Sequence, residues 1–346
     1  MRCLILKMSL LAAIVLTSME GIRMALPLRP ELFYEPLDLN VSWVQNLPYR
    51  ISTIIMGSST VYFGLDPVLL KSLGDDERLH AVNLSNTAQT PLRSLAKWKS
   101  LAPGIKQNIR TVIYGLDPWI MSEWYYRYDL AAMHQWSFAQ RLYFLRQKTQ
   151  NSGSKEFLFS YQHERRFVEG FFAGLSPFLP QPPTAVTPTP TLLGAGRDDS
   201  TQYSPDHIST EELYAQEELF PVSELYLNAL AEIKQSAEQQ GAVFILLLPP
   251  KTDSWIRQYR EECRDFDQKL VASLRRRLGP TIVIGSFDLF SRFPTPDHFK
   301  DELHLNAKGQ VLFTKWLADE LLAGRKLETD ITGLLSYRPH GNKQAI

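Results

Sequence analysis

The run Ala242–Leu248 (AVFILLL) is apolar at every position, bounded by Gly241 on one side and Pro249-Pro250 on the other. It is too short for a free-standing helix and suits a strand. A strand with one wet face alternates apolar and polar side chains. This one does not, so both of its faces must be covered, as in parallel sheets with helices packed on either side. The rest of the chain supports that reading. Arg50–Met56 (RISTIIM), Ala81–Leu84, Arg110–Leu116 (RTVIYGL) and Thr281–Ile284 are further strand candidates. Between them lie helical spacings: Leu92, Leu95, Trp98 and Leu101 within Pro91–Leu101, and Tyr226, Leu230, Ile233 and Ala237 before a stop at Gly241. Ser254–Leu278 and Ala307–Leu322 read as helices, and Asp66-Pro67 as a helix start. Strands alternating with helices predict an α/β fold around a central parallel sheet.

That alternation stops between about residues 120 and 220. The stretch opens with aromatics, including Trp119, Trp124, Tyr125, Tyr126, Tyr128 and Trp136. It then turns proline-rich (SPFLPQPPTAVTPTPTLL at 176–193) and polar. It predicts an insertion rather than a core of its own, with a long irregular loop at 176–205. The aromatic cluster around Trp119 suits either stacking on sugar rings or packing a cap onto the core.

Residues 1–25 form a separate segment, and the α/β domain is expected over 26–346. Within the first nineteen residues (MRCLILKMSLLAAIVLTSM), Met8–Met19 carries no charge. Three readings fit: a membrane anchor with Lys7 snorkelling to the headgroups, a cleaved signal with Arg2 and Lys7 as its basic region, or a buried helix. Length and flanks favour the anchor. Arg2 and Lys7 before the run and Arg23 and Arg29 after it leave its orientation open.

Charge and cysteine content exclude several classes. Lys plus Arg and Asp plus Glu each total 37, and no basic run is concentrated enough for a nucleic-acid footprint. The two cysteines, Cys3 and Cys263, cannot build a disulfide framework or a cysteine-based zinc site. There is no glycine-rich phosphate loop and no clustered His/Asp ligand set, so no cofactor or metal is expected.

Two short segments carry nucleophilic chemistry. Gly57-Ser58-Ser59 follows the first strand, so a serine hydroxyl stands at the carboxyl edge of the sheet, where open α/β folds bind ligands. Near the other end, Asp301-Glu302-Leu303-His304-Leu305-Asn306-Ala307-Lys308-Gly309 precedes the last helix. A histidine there can act as base to a serine, with a carboxylate orienting its ring. Each segment alone also fits an ordinary turn or helix entry.

Taken together, Gly-x-Ser at the first strand and Asp-x-x-His-Leu-Asn-x-x-Gly before the last helix resemble the first and last sequence blocks of the SGNH (GDSL) hydrolase superfamily. The resemblance covers most of 50–323 outside the insertion. It implies a flavodoxin-like three-layer α/β/α sandwich with Ser59 as nucleophile, His304 as base and Asp301 as its partner. The middle blocks depart from the family. Ser85 stands where a glycine is usual, so its backbone N–H is a candidate oxyanion donor, and Asn86 offers a side-chain amide. Asp117 stands where an asparagine is usual. An ionised Asp cannot donate, and the loss of one such donor typically lowers rates by about 10²–10³. Asp117 could be protonated, cap the turn begun by Pro118 or contact substrate; Asp-Pro as a helix start favours the cap. Lys251, after the strongest strand, reads as a contact for an anionic polymer or as a solvated turn lysine. His298 reads as a loop residue.

The pattern from Met56-Gly57-Ser58-Ser59-Thr60-Val61 to Asp66-Pro67, with Asn83-Leu84-Ser85, resembles one branch in particular. That branch holds membrane-anchored cell-envelope proteins such as those of alginate O-acetylation and of teichoic acid D-alanyl transfer. It implies an extracytoplasmic serine O-acyltransferase or acyl esterase acting on a polysaccharide or other envelope polymer beside a membrane-bound O-acyltransferase. A secreted small-ester esterase and a non-catalytic scaffold are the alternatives, the latter favoured by Asp117.

Overall fold

The structure, a computed structural model, describes residues 41–125, 221–289 and 295–323. The apolar segment within 1–25, most of the 120–220 insertion with its proline-rich loop, and Tyr126, Tyr128 and Trp136 lie outside the described residues. Among the described residues no helix is long and apolar enough to cross a membrane.

Among the described residues five strands form one parallel sheet: β1 (Thr53–Met56), β2 (Ala81–Asn83), β3 (Thr111–Gly115), β4 (Val243–Leu248) and β5 (Ile282–Gly285). Their order is β2-β1-β3-β4-β5, the flavodoxin-like arrangement. The helices are α1 (Ser59–Gly64), α2 (Pro67–Ser72), α3 (Pro91–Ser100), α4 (Pro103–Lys106), α5 (Glu224–Gln239), α6 (Asp253–Glu262), α7 (Arg264–Leu278), α8 (Thr295–His298) and α9 (Ala307–Ala323).

Alternate residues of each strand feed two separate cores, as the two-residue side-chain period requires. Ile54, Met56, Val112, Tyr114, Phe244, Leu246 and Leu248 pack with α3, α5, α6 and α7 on one face. Ile55, Ile113, Ile245, Leu247 and Ile284 pack with α1, α2 and α9 on the other. The chain moves from β1 to β2 in one direction and thereafter only in the other. Right-handed crossovers therefore put α1 and α2 on one face and the later crossover helices on the opposite one. The result is the three-layer α/β/α sandwich. The run Ala242–Leu248 is an interior strand of the sheet, between β3 and β5, although Val243, at its amino end, is 46% exposed.

Local chemistry accounts for most element ends. Asp66 caps α2, its carboxylate accepting from the N–H groups of Val68 and Leu69, with Pro67 at the first helical position. Gly241 follows α5 with φ +76°, a conformation that glycine adopts without strain. One reading needs correction: Ser254–Leu278 is two helices, broken at Cys263, whose backbone (φ −115°, ψ 18°) leaves the helical region. His298 closes the short helix α8 rather than lying in a loop.

Candidate active site

The order of the sheet reverses at β1 and β3, and ligands of open α/β folds bind beyond the strand ends at such a point. Ser59 follows β1 there. Gly115, the last residue of β3, lets the two ends come together. A Cβ on Gly115 would fall 1.9 Å from Cγ2 of Val61 in α1, and one on Gly57 would meet the Gly115 carbonyl oxygen at 3.0 Å. The nucleophile turn thus sits directly against β3, and glycine is required at this contact.

Ser59 and His304 are 245 residues apart in sequence, yet Ser59 Oγ lies 2.8 Å from His304 Nε2. His304 Nδ1 lies 2.8 Å from Asp301 Oδ2 and 2.9 Å from Oδ1. An ionised carboxylate only accepts, so the neutral ring carries its proton on Nδ1 and leaves Nε2 to accept from the serine hydroxyl. Asp301 is buried while the His304 side chain is 13% exposed, so the base faces an accessible side and its partner does not. Burial alone would raise the Asp301 pKa. The His304 ring and the backbone N–H groups of Leu303 and His304 outweigh it and hold the carboxyl below the usual carboxylate range.

Asn306 positions this loop. Its Oδ1 accepts from the N–H groups of Lys308 and Gly309 and so caps α9, while its Nδ2 donates to the Asp297 carbonyl. Phe63 of α1 packs edge-on against His304, with ring centroids 5.6 Å apart. Nothing in the sequence alone marked Phe63, because an aromatic residue in a short helix reads as ordinary packing.

The structure places the three remaining candidate donors differently. The Ser85 N–H donates to Asn83 Oδ1 at 3.0 Å, so it is already engaged. Among the described residues the buried Ser85 hydroxyl has no hydrogen-bond partner. Asn86 lies against the nucleophile turn, its N–H pointing at the Gly57 carbonyl at 3.4 Å. Among the described residues neither Asn86 Nδ2 nor the Ser59 N–H has an acceptor, so both are candidate donors to an oxyanion.

Asp117 precedes the turn Pro118–Met121 but makes no side-chain cap to it, which corrects the expected helix cap. Its Oδ2 instead accepts from the hydroxyls of Ser58 and Thr60, the latter at 2.6 Å. Its Oδ1 lies 3.0 Å from Lys251 Nζ. Lys251 is neither a solvated turn lysine nor a polymer contact: its side chain is 0% exposed. Trp119 is also buried, stacked edge-on against Trp255 at 5.0 Å, with Lys251 Nζ 5.1 Å from its ring. It packs the core and offers no face to a sugar. The sequence held a partial signal for the pair: an Asp just past β3 and a Lys just past β4 become neighbours once those strands are adjacent.

Among the described residues no group of three or more His, Cys, Asp or Glu side chains is placed to hold a metal ion. No protein-family model matches the chain. No curated protein matches it either. Among solved structures it is similar to a lipase/acylhydrolase from Enterococcus faecalis, at 13% identity and a TM-score of 0.37, over 80% of this chain and 99% of that one.

Proposed function

We propose that the chain is a serine-dependent acyl hydrolase or O-acyltransferase working through an acyl-enzyme at Ser59. The observation that carries this reading is the continuous relay from Ser59 Oγ to His304 Nε2 and from His304 Nδ1 to Asp301, with 2.8 Å at each link. In the forward step Ser59 Oγ bonds to the ester carbonyl carbon and its proton passes to His304 Nε2. Asp301 stabilises the resulting imidazolium. The Ser59 N–H and Asn86 Nδ2 hold the tetrahedral oxyanion. Collapse expels the alcohol, which takes the proton from His304. Water or a second hydroxyl, deprotonated by the same nitrogen, then releases the acyl group.

The finer reading is transfer to a polysaccharide or other polymer of the cell envelope. In it the domain stands outside the cytoplasm, tethered by the apolar N-terminal segment, and a membrane-bound O-acyltransferase supplies the acyl group. Its support is the resemblance of the Gly57–Asp66 and Asn83–Ser85 patterns to the envelope branch. Asp117, whose carboxylate is engaged by Lys251, Ser58 and Thr60, supplies no oxyanion donor in either reading.

The test is a burst assay with p-nitrophenyl acetate, with and without added oligosaccharide. A stoichiometric burst that His304→Ala removes, with acetate then appearing on the oligosaccharide, is the result expected of a transferase. Acetate released only to water would restrict the proposal to an esterase. A folded wild type that releases no more p-nitrophenol than His304→Ala would overturn both.

A further inference from the structure

Behind Ser59 lies a closed polar group that the acyl chemistry does not touch: Asp117, Lys251 and the hydroxyls of Ser58 and Thr60. We propose that Asp117 and Lys251 are positioning residues, a buried strut that ties the nucleophile turn to the base loop and sets the spacing of Ser59 and His304. The inference rests on the assignment of Ser59 as nucleophile.

The contacts run in one chain. A single oxygen, Asp117 Oδ2, accepts from Ser58 and Thr60, the residues on either side of Ser59, so the turn cannot rotate without breaking both bonds. The other oxygen holds Lys251 Nζ at 3.0 Å, with both side chains 1% exposed or less. Lys251 is fixed in turn by its N–H to the Phe287 carbonyl at 2.8 Å. The next residue, Thr252, reaches the Glu302 carbonyl with both its N–H and its Oγ1, each at 3.2 Å. Glu302 lies between Asp301 and His304. The strut therefore starts beside the nucleophile and ends inside the base loop.

The pair has a second effect. An unpaired Asp117 carboxylate beside the turn would oppose charge developing on the oxyanion, and the Lys251 ammonium cancels it. A well-packed apolar pair would fill the same space at no loss of stability. It would supply neither the acceptor for two hydroxyls nor the counter-charge. Burial lowers the Lys251 pKa from the usual lysine value, and the charges of Asp117 and Asp301 oppose that fall.

The experiment measures the rate at which a fluorophosphonate labels Ser59 in the full chain, as a function of pH, for Lys251→Met, Asp117→Leu and the double variant. Other charges act on His304: Asp301 on its own loop, and Lys300, whose ammonium lies 4.8 Å from the Phe63 ring that packs on His304. These are unchanged across the series. Lys251→Met bares a negative charge, so labelling is expected to slow about 100-fold and its acid limb to move to higher pH. Asp117→Leu bares a positive charge and is expected to move the limb to lower pH. The double variant removes both charges. It is expected to melt like the wild type and to return the limb to its wild-type position, yet to label slowly because the acceptor for Ser58 and Thr60 is gone. Where a single variant fails to fold, the double variant decides. A folded double variant labelling at the wild-type rate, or single variants moving the limb in the same direction, would overturn the strut. A wild-type chain that does not label would overturn the Ser59 assignment itself.

Discussion

The base loop and the nucleophile turn meet at one hydrogen bond, but they are built in opposite ways. The loop supports itself. Asp301 bonds to Leu303, to the His304 N–H and to the His304 ring, and Asn306 caps the helix that follows. Apart from the Phe63 ring and the two Thr252 bonds to the Glu302 carbonyl, what orients His304 is close by in sequence. The turn is supported from afar. Ser58 and Thr60 bond to Asp117, 59 and 57 residues away, and Asp117 to Lys251, 134 residues further on. A site can therefore have one half written as a motif and the other as topology.

The largest effect is expected at the self-contained half. Asp301→Asn should keep the fold and slow Ser59 labelling roughly 10⁴-fold, since the ring loses the carboxylate that fixes its tautomer. The same substitution tests the linkage of charge to stability. The folded-state pKa of Asp301 is depressed, so its contribution is present above the unfolded value of about 3.9 and is lost as pH falls through the folded value. The gap in melting temperature between wild type and Asp301→Asn should be widest near neutrality and close toward acid. A gap that grows toward acid would contradict the sign.

On the remote half, Gly115→Ala pushes a methyl into Val61, whose Cγ2 would stand 1.9 Å away. A loss of about 1–3 kcal/mol is expected from such overpacking, together with slower labelling as α1 is displaced. Val61→Ala in the same chain should restore part of the labelling rate. Denaturant titration and labelling kinetics check both. The smallest effect is expected for Asn306→Ala, about 1 kcal/mol of stability for a lost cap. Its labelling should be weakened far less than by Gly115→Ala. A reversed order would mean that the base loop leans on distant contacts after all.

The same division explains what could be read from sequence. The sheet was legible because β4 is an unbroken apolar run and several of the helices carry their own spacing and caps. Asp301, His304 and Asn306 were legible because their bonds are local. Asp117 looked like a helix cap because Asp-Pro opens many helices, and nothing nearby in sequence announces that Ser58 and Thr60 would claim its carboxylate instead. Lys251 looked solvated because lysines usually are, and only the adjacency of β3 and β4 gives it a buried partner. Ser85 failed as a donor for a local reason: Asn83, two residues earlier, takes its N–H.

The most direct test of the central claim is fluorophosphonate treatment of the full chain, with the modified residue identified by mass spectrometry and His304→Ala as control. Modification confined to Ser59, and lost in the control, is the result this account requires. A folded wild-type chain left unmodified at Ser59, or one modified equally well without His304, would contradict it.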